Sequence, residues 1–266
     1  MQFISNKIGF QLLSTKRYKE LNEKSLTNSY SDTELTFRTL NLLPLLRNID
    51  EKCFDQLVMA LKMSKSQLGQ DIFVLANLNF KKNGFFVEFG ATNGVDFSNT
   101  LVMEKLFSWN GILSEPAKTW HRNLTLNRDT FIDFNAVWKN SNSVLMFNEV
   151  DSAEYSTIKD FSNVDMHSEI RSYGKSYEVN TISLLDLLLK YDAPSKIDYL
   201  SIDTEGSELD ILESFDFEQY SFSVITVEHN YTDSRNRIYQ LLKSNGYKRV
   251  YENISQFDDW YVYEPQ

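Results

Sequence analysis

From Phe85 onward, short apolar runs of strand length alternate with amphipathic stretches of helix length. Strands are expected at 85–90, 111–115, 131–138, 197–203 and 222–228, and helices at about 98–108, 117–127, 181–191, 207–215 and 233–245. Such alternation builds βαβ units and a mostly parallel sheet covered on both faces. Two more strand-like segments, 247–251 and 259–263, follow the last helix. A closing pair of this kind suggests a hairpin that sets one antiparallel strand into the parallel sheet. The first 65 residues follow another rule: Leu40, Leu43 and Leu46, then Phe54, Leu57 and Leu61, recur at helical spacing, with a break expected at Pro44. We read 1–65 as a helical extension or cap, which either covers an edge of the sheet or gates an acceptor, and 66–266 as the α/β domain. Residues 144–179 are rich in Ser, Asn and acids, carry Tyr155 and Tyr173, and read as an active-site loop region or a solvated connector.

The first strand ends in Glu88-Phe89-Gly90-Ala91-Thr92-Asn93-Gly94, an acid and two glycines before a helix that begins near Ser98. Gly90 and Gly94 permit a tight turn and a close approach of backbone to ligand, while Glu88 offers hydrogen-bond acceptors. A glycine pair after a strand is also an ordinary tight turn. Thr92 stands where a G-x-G-x-x-G motif has its middle glycine, which disfavours a pyrophosphate ligand. That feature, with no Tyr-x-x-x-Lys pair in the expected region, counts against a nicotinamide-dependent oxidoreductase acting on sugar nucleotides. Glu115-Pro116 closes the second strand, where a carboxylate is well placed for the two hydroxyls of a ribose. Asn135-Ala136 follows the third strand and either touches an adenine edge or packs.

Three blocks in this order, F-V-E-F-G-A-T-N-G, W-N-G-I-L-S-E-P-A and I-D-Y-L-S-I-D-T-E-G-S-E-L-D-I-L, resemble the FkbM family of S-adenosylmethionine-dependent methyltransferases. The resemblance runs from about Ser66 to the C-terminus. It implies a Rossmann-like class I methyltransferase fold: a mostly parallel seven-stranded sheet with one antiparallel strand, here preceded by the N-terminal helical extension. It also implies S-adenosylmethionine as cofactor, with Glu88, Gly90, Ala91, Thr92, Asn93, Gly94, Ser98, Glu115, Pro116, Asn135, Ala136 and Asp203 as binding positions. Ser156 is carried over from the polar block Glu154-Tyr155-Ser156-Thr157. The implied reaction is O-methylation of a sugar hydroxyl in a glycan or glycosylated metabolite, as in polysaccharide biosynthesis. A peptide or polyketide acceptor is the alternative, and a noncatalytic binding module a third class.

An alcohol must lose a proton as it attacks the methyl group, so a general base or a metal ion is needed. Asp203 and Glu205 follow one apolar strand, and Glu228 and His229 follow the next. Adjacent strands would make them converge, with Asp203, Glu205 and His229 as catalytic candidates. Asp203, Glu228 and His229 form a candidate set for Mg2+. The arrangement resembles that of metal-dependent sugar O-methyltransferases, although Glu-His-Asn stands where those enzymes carry paired aspartates. Glu208 is assigned instead to the dipole of the helix it begins. His121 is assigned to packing or surface.

Composition narrows the partners. The chain has 266 residues, 42% of them hydrophobic, enough to bury a full core. Residues 1–82 carry 12 Lys and Arg against 8 Asp and Glu, and the remainder 15 against 29, a net charge of −14. So acidic a surface repels phosphate backbones, which excludes nucleic acid as the expected substrate. No apolar run approaches a bilayer span, and the N-terminus lacks the order of a secretion signal, so a soluble cytoplasmic protein is expected. The single cysteine, Cys53, reads as apolar filler. Homo-oligomerisation is left open.

Overall fold

A computed structural model describes residues 42–47 and 49–264. Its main sheet has seven strands: β1 (Phe85–Phe89), β2 (Asn110–Ser114), β3 (Phe131–Asp133), β8 (Lys196–Ile202), β9 (Ser221–Glu228), β10 (Tyr247–Val250) and β11 (Asp258–Tyr263). They lie in the order β10-β11-β9-β8-β1-β2-β3. Every pairing is parallel except those of β11, which runs antiparallel to both β9 and β10. This is the Rossmann-like sheet with one reversed strand that the sequence predicts. Strand order reverses between β1 and β8, so a crevice opens there, beyond the strands' C-terminal ends.

Alternation along the strands sorts two cores. Val87 and Phe89 of β1 join Leu200, Ile202, Ile225 and Val227 on one face, under α6 (Leu184–Lys190), α7 (Glu208–Glu213) and α8 (Ser234–Ser244). Leu184, Leu187 and Leu188 supply the buried stripe of α6, and the Ser183 hydroxyl caps it by accepting from the Asp186 N–H. Phe86 points the other way, with Leu113, Tyr199, Val224 and Trp260. That face is covered by α1 (Phe54–Met63), α2 (Gln70–Asn77), α3 (Leu101–Phe107) and α4 (His121–Asn127). Phe73 of α2 stacks on fully buried Trp260, with ring centroids 4.6 Å apart. Leu42, Leu45, Leu57 and Ala60 belong to the same core, so the described part of the extension is a packed layer on the sheet. Residues 42–46 are helical through Pro44, where a break was expected. Leu40 lies outside the described residues.

Two departures from the sequence reading matter for the site. The strand expected at 131–138 divides into β3 and β4 (Ala136–Trp138), because Asp133 accepts hydrogen bonds from the Asn135 N–H and side-chain amide and turns the chain out of the main sheet. The expected loop region at 144–179 is largely structured. β5 (Val144–Glu149), β6 (Thr157–Ile158) and β7 (Lys175–Ser183) join β4 in a second sheet of order β4-β7-β5-β6, and α5 (Ser168–Arg171) lies between β6 and β7. Residues 181–183, expected to open a helix, instead complete β7.

Candidate active site

One cleft lies over the strand ends. Its walls include Glu88 of β1, Gly90 and Thr92 after that strand, Glu115 and Pro116 after β2, Ala136 and Val137 of β4, Asp203 and Glu205 after β8, and Glu228 at the end of β9. The second sheet closes it with Phe147, Ser156 and Ile158. Six of the expected site residues are not on its surface: Ala91, Asn93, Gly94, Ser98, Asn135 and His229. Ala91 is core. Asn93 accepts from the N–H groups of Val95 and Asp96, the Gly94 carbonyl accepts from Arg128, and Asn135 is turned back onto Asp133.

The turn after β1 is built on Glu88. This buried carboxylate accepts from the Asn99 N–H at 2.6 Å and from the hydroxyls of Ser98 and Thr100, and the fully buried Arg128 guanidinium lies 3.7 Å away. Arg128 also donates to Gly94 O, Ser98 Oγ and Thr100 Oγ1, tying the end of α4 to the whole turn. Glu88 is thus saturated by its own chain and acts on a ligand by shaping the turn. Gly90 has φ +72°, and a Cβ there would stand 2.0 Å from Asp203 O. The close approach that demands glycine is therefore between β1 and β8, rather than between backbone and ligand.

Glu115 accepts from the Thr92 and Ala117 N–H groups, each at 2.8 Å. Burial nevertheless pushes its pKa up to about 7, against those two hydrogen bonds. Its carboxylate faces the cleft with unmet capacity, suited to hydroxyl donors such as those of a ribose.

On the other side, Asp203, Glu205 and Glu228 place carboxylate oxygens within 4.8 Å of one another. Burial raises the Asp203 pKa to about 7, and burial plus the charge of Asp203 and Glu205 raises that of Glu228 well above its ordinary range. Glu205 has a left-handed backbone, φ 60°, and is committed to two partners: Arg171 Nη2 at 2.7 Å and Asn230 Nδ2 at 3.1 Å. Asn230 also donates to Glu228, at 2.8 Å. Arg171 is buried and donates further to Tyr155 O and Asp165. Glu208 accepts from the N–H groups of Thr204 and Gly206 at the start of α7, the structural role assigned to it from sequence.

His229 does not join this cluster. One residue past Glu228 the chain has turned, and the ring lies away from the cleft: Nδ1 accepts from the Tyr231 N–H, and Nε2 is 3.7 Å from Asp259. Asp259 is already held by Arg235 and Arg249, and burial lowers the His229 pKa to about 4. His229 is a neutral structural imidazole, and Glu205 takes its place among the candidate metal ligands. Tyr155, expected within the loop region, stacks on His167 at 4.3 Å, and both line the cleft with Asn99 and Asn230. Sequence reading missed His167 and Asn99, for which the pattern of strand ends carries no signal.

Fold and site together define a Rossmann-like protein in which a glycine turn faces a cluster of acids across one cleft. A family model described as the methyltransferase FkbM domain matches residues 88–249, more than half of the chain. The chain belongs to the FkbM methyltransferase family, and S-adenosylmethionine is the implied methyl donor. The match begins at the acid of the first motif, inside the wider span expected from sequence. No curated protein matches the chain. Among solved structures, precorrin-6y C5,15-methyltransferase from Geobacter metallireducens is similar at 10% identity and a TM-score of 0.39, over 76% of this chain and 89% of that one. The METTL16 methyltransferase domain is similar at 11% identity and a TM-score of 0.40, over 93% and 88%. At such scores neither carries an argument; the fold rests on the strand order and the family. No helix among the described residues is long and apolar enough to cross a membrane.

Proposed function

We propose that the protein is an S-adenosylmethionine-dependent O-methyltransferase acting on a sugar hydroxyl in a glycan or glycosylated metabolite. The observation that supports it most directly is the carboxylate cluster of Asp203, Glu205 and Glu228 in the same cleft as Glu115. Glu115 and Pro116 hold the ribose, Ala136 and Val137 flank the adenine, and the turn shaped by Glu88 and Gly90 positions the methionine arm. Alcohol methylation needs a base near neutral pKa, and burial gives Asp203 that property. Asp203 takes the hydroxyl proton as the oxygen attacks the methyl carbon in line with the departing sulfur, Glu228 shares the proton, and Arg171 with Asn230 fixes Glu205 beside them.

The donor set is also one that a hard divalent cation accepts, all oxygen and all anionic. Asp203, Glu205 and Glu228 would hold Mg2+, which when bound would acidify the acceptor hydroxyl. The experiment is methyl transfer from S-adenosylmethionine to a panel of reducing sugars, glycosides and peptides, with Mg2+ and with EDTA, read by mass spectrometry. A gain of 14 mass units on a glycoside hydroxyl supports the reading, while methylation confined to peptide nitrogen sinks it.

A further inference from the structure

Asn99 lies on the segment that Glu88 folds over the end of β1, and it is held from both strands of the crevice. Its N–H donates to Glu88 at 2.6 Å, and its side-chain amide donates to Ser201 Oγ of β8 at 2.9 Å. Glu88 and Ser201 are themselves register partners, so the Asn99 side chain bridges the gap where strand order reverses. The residue is 7% exposed and lines the cleft. With the amide nitrogen committed to Ser201, the orientation of the group is fixed. Its other end, Oδ1, is buried and has no hydrogen-bond partner among the described residues. A buried acceptor left in this state is destabilising, and a ligand that brings a donor removes the penalty.

Among the groups of the methyl donor, the carboxylate has no proton to give and meets the acids Glu88 and Asp203 in the same wall. The ribose diol belongs with Glu115 and Pro116, one strand further along the sheet, and the adenine with Ala136 and Val137 beyond it. The ammonium of the amino-acid arm remains. It has three N–H donors, and its positive charge suits a wall that carries acids. Resting on the S-adenosylmethionine reading of this cleft, we infer that Asn99 Oδ1 accepts a hydrogen bond from that ammonium and selects the intact amino-acid arm.

The test is calorimetric and needs no turnover. S-adenosylhomocysteine and its deaminated analogue, with hydrogen in place of the ammonium, are titrated into the parent, Asn99→Ala and Asn99→Asp. We expect the parent to prefer the amine by tenfold or more, and Asn99→Ala to lose about tenfold of that preference while binding the deaminated ligand nearly as the parent does. Asn99→Asp, which keeps an acceptor oxygen, should keep the preference and supplies the comparison if Asn99→Ala does not fold. Equal weakening of both ligands by Asn99→Ala, or loss of the preference in Asn99→Asp, would overturn the inference and leave Asn99 a loop residue. A parent that binds neither ligand would overturn the cofactor reading itself, and the inference with it.

Discussion

The two sides of the cleft solve opposite problems. On the cofactor side, between β1 and β2, the acids stand apart and each is met by donors of the protein: Glu88 has Arg128, two hydroxyls and a backbone N–H, and Glu115, although burial raises its pKa to about 7, has two backbone N–H groups. On the acceptor side, beyond β8 and β9, three acids crowd together with one guanidinium, on Glu205 alone. The first arrangement makes a rigid mould. The second stores unfavourable electrostatics, which only a proton, a cation or a substrate relieves, and groups kept in that condition are suited to proton transfer. On the proposed function, the contrast gives binding to one side and chemistry to the other.

The contact between the sides is the harshest place to break it. Gly90→Val would drive a side chain into Asp203 O and force a β-branched residue to φ +72°. We expect a loss of roughly 3 kcal/mol of stability or more, seen as a collapsed thermal transition. The sequence alone points to a folded variant that has merely lost its cofactor. A Gly90→Val protein with parental melting would show that β1 and β8 are not locked together here.

Within a folded protein, Asp203→Asn should separate the sides most cleanly. It keeps size and loses the base, so turnover should fall on the order of 100-fold while the dissociation constant for S-adenosylhomocysteine stays within a few-fold. Because burial holds the Asp203 pKa near 7 and only the ionised form takes a proton, parental turnover should rise with pH up to about 7 and then level. A turnover that falls across that range, or equal loss of binding and rate, would break the division of labour. Glu115→Ala attacks the other side and should do the converse. We expect cofactor affinity to weaken by roughly 1–3 kcal/mol, with turnover at saturating cofactor much less affected. Calorimetry beside steady-state kinetics distinguishes the two patterns.

The same contrast governs what the sequence could reveal. Strand-end residues such as Glu115, Asp203 and Glu228 were legible because an apolar run fixes where a parallel strand stops, and the crevice lies just beyond. The sheet was legible for the same reason, down to its reversed strand β11. The second sheet was not, since β7 alternates mostly polar residues and β4 is severed from β3 by a single Asp133–Asn135 turn. Arg171 and Asn99 escaped because their partners, Glu205 and Ser201, lie 34 and 102 residues away, and no local pattern records such pairings. His229 was misplaced because the rule that finds strand ends says nothing of which way the next side chain turns.

That misplacement leads to the smallest expected effect. Burial holds the His229 pKa at about 4, below the 6.5 of an unfolded histidine. The unfolded chain therefore binds the proton first as pH falls, and the contribution of His229 to stability is present above about 6.5 and lost progressively toward 4. Asp203 and Glu115, with raised values, act in the opposite sense, but both remain in a His229→Gln variant and cancel in the difference. Around the ring Asp259 and a hydrogen bond to the Asp258 backbone favour protonation, whereas Arg235 and Arg249 oppose it along with burial. Urea unfolding of parent and variant should give a stability difference that shrinks by about 1 kcal/mol between pH 7 and pH 5.5. A difference that is flat with pH would mean the ring is already open to water. Catalysis supplies the companion measurement: as a structural imidazole outside the cleft, His229 should leave turnover of the folded variant close to that of the parent, and a 100-fold loss there would return it to the acceptor side.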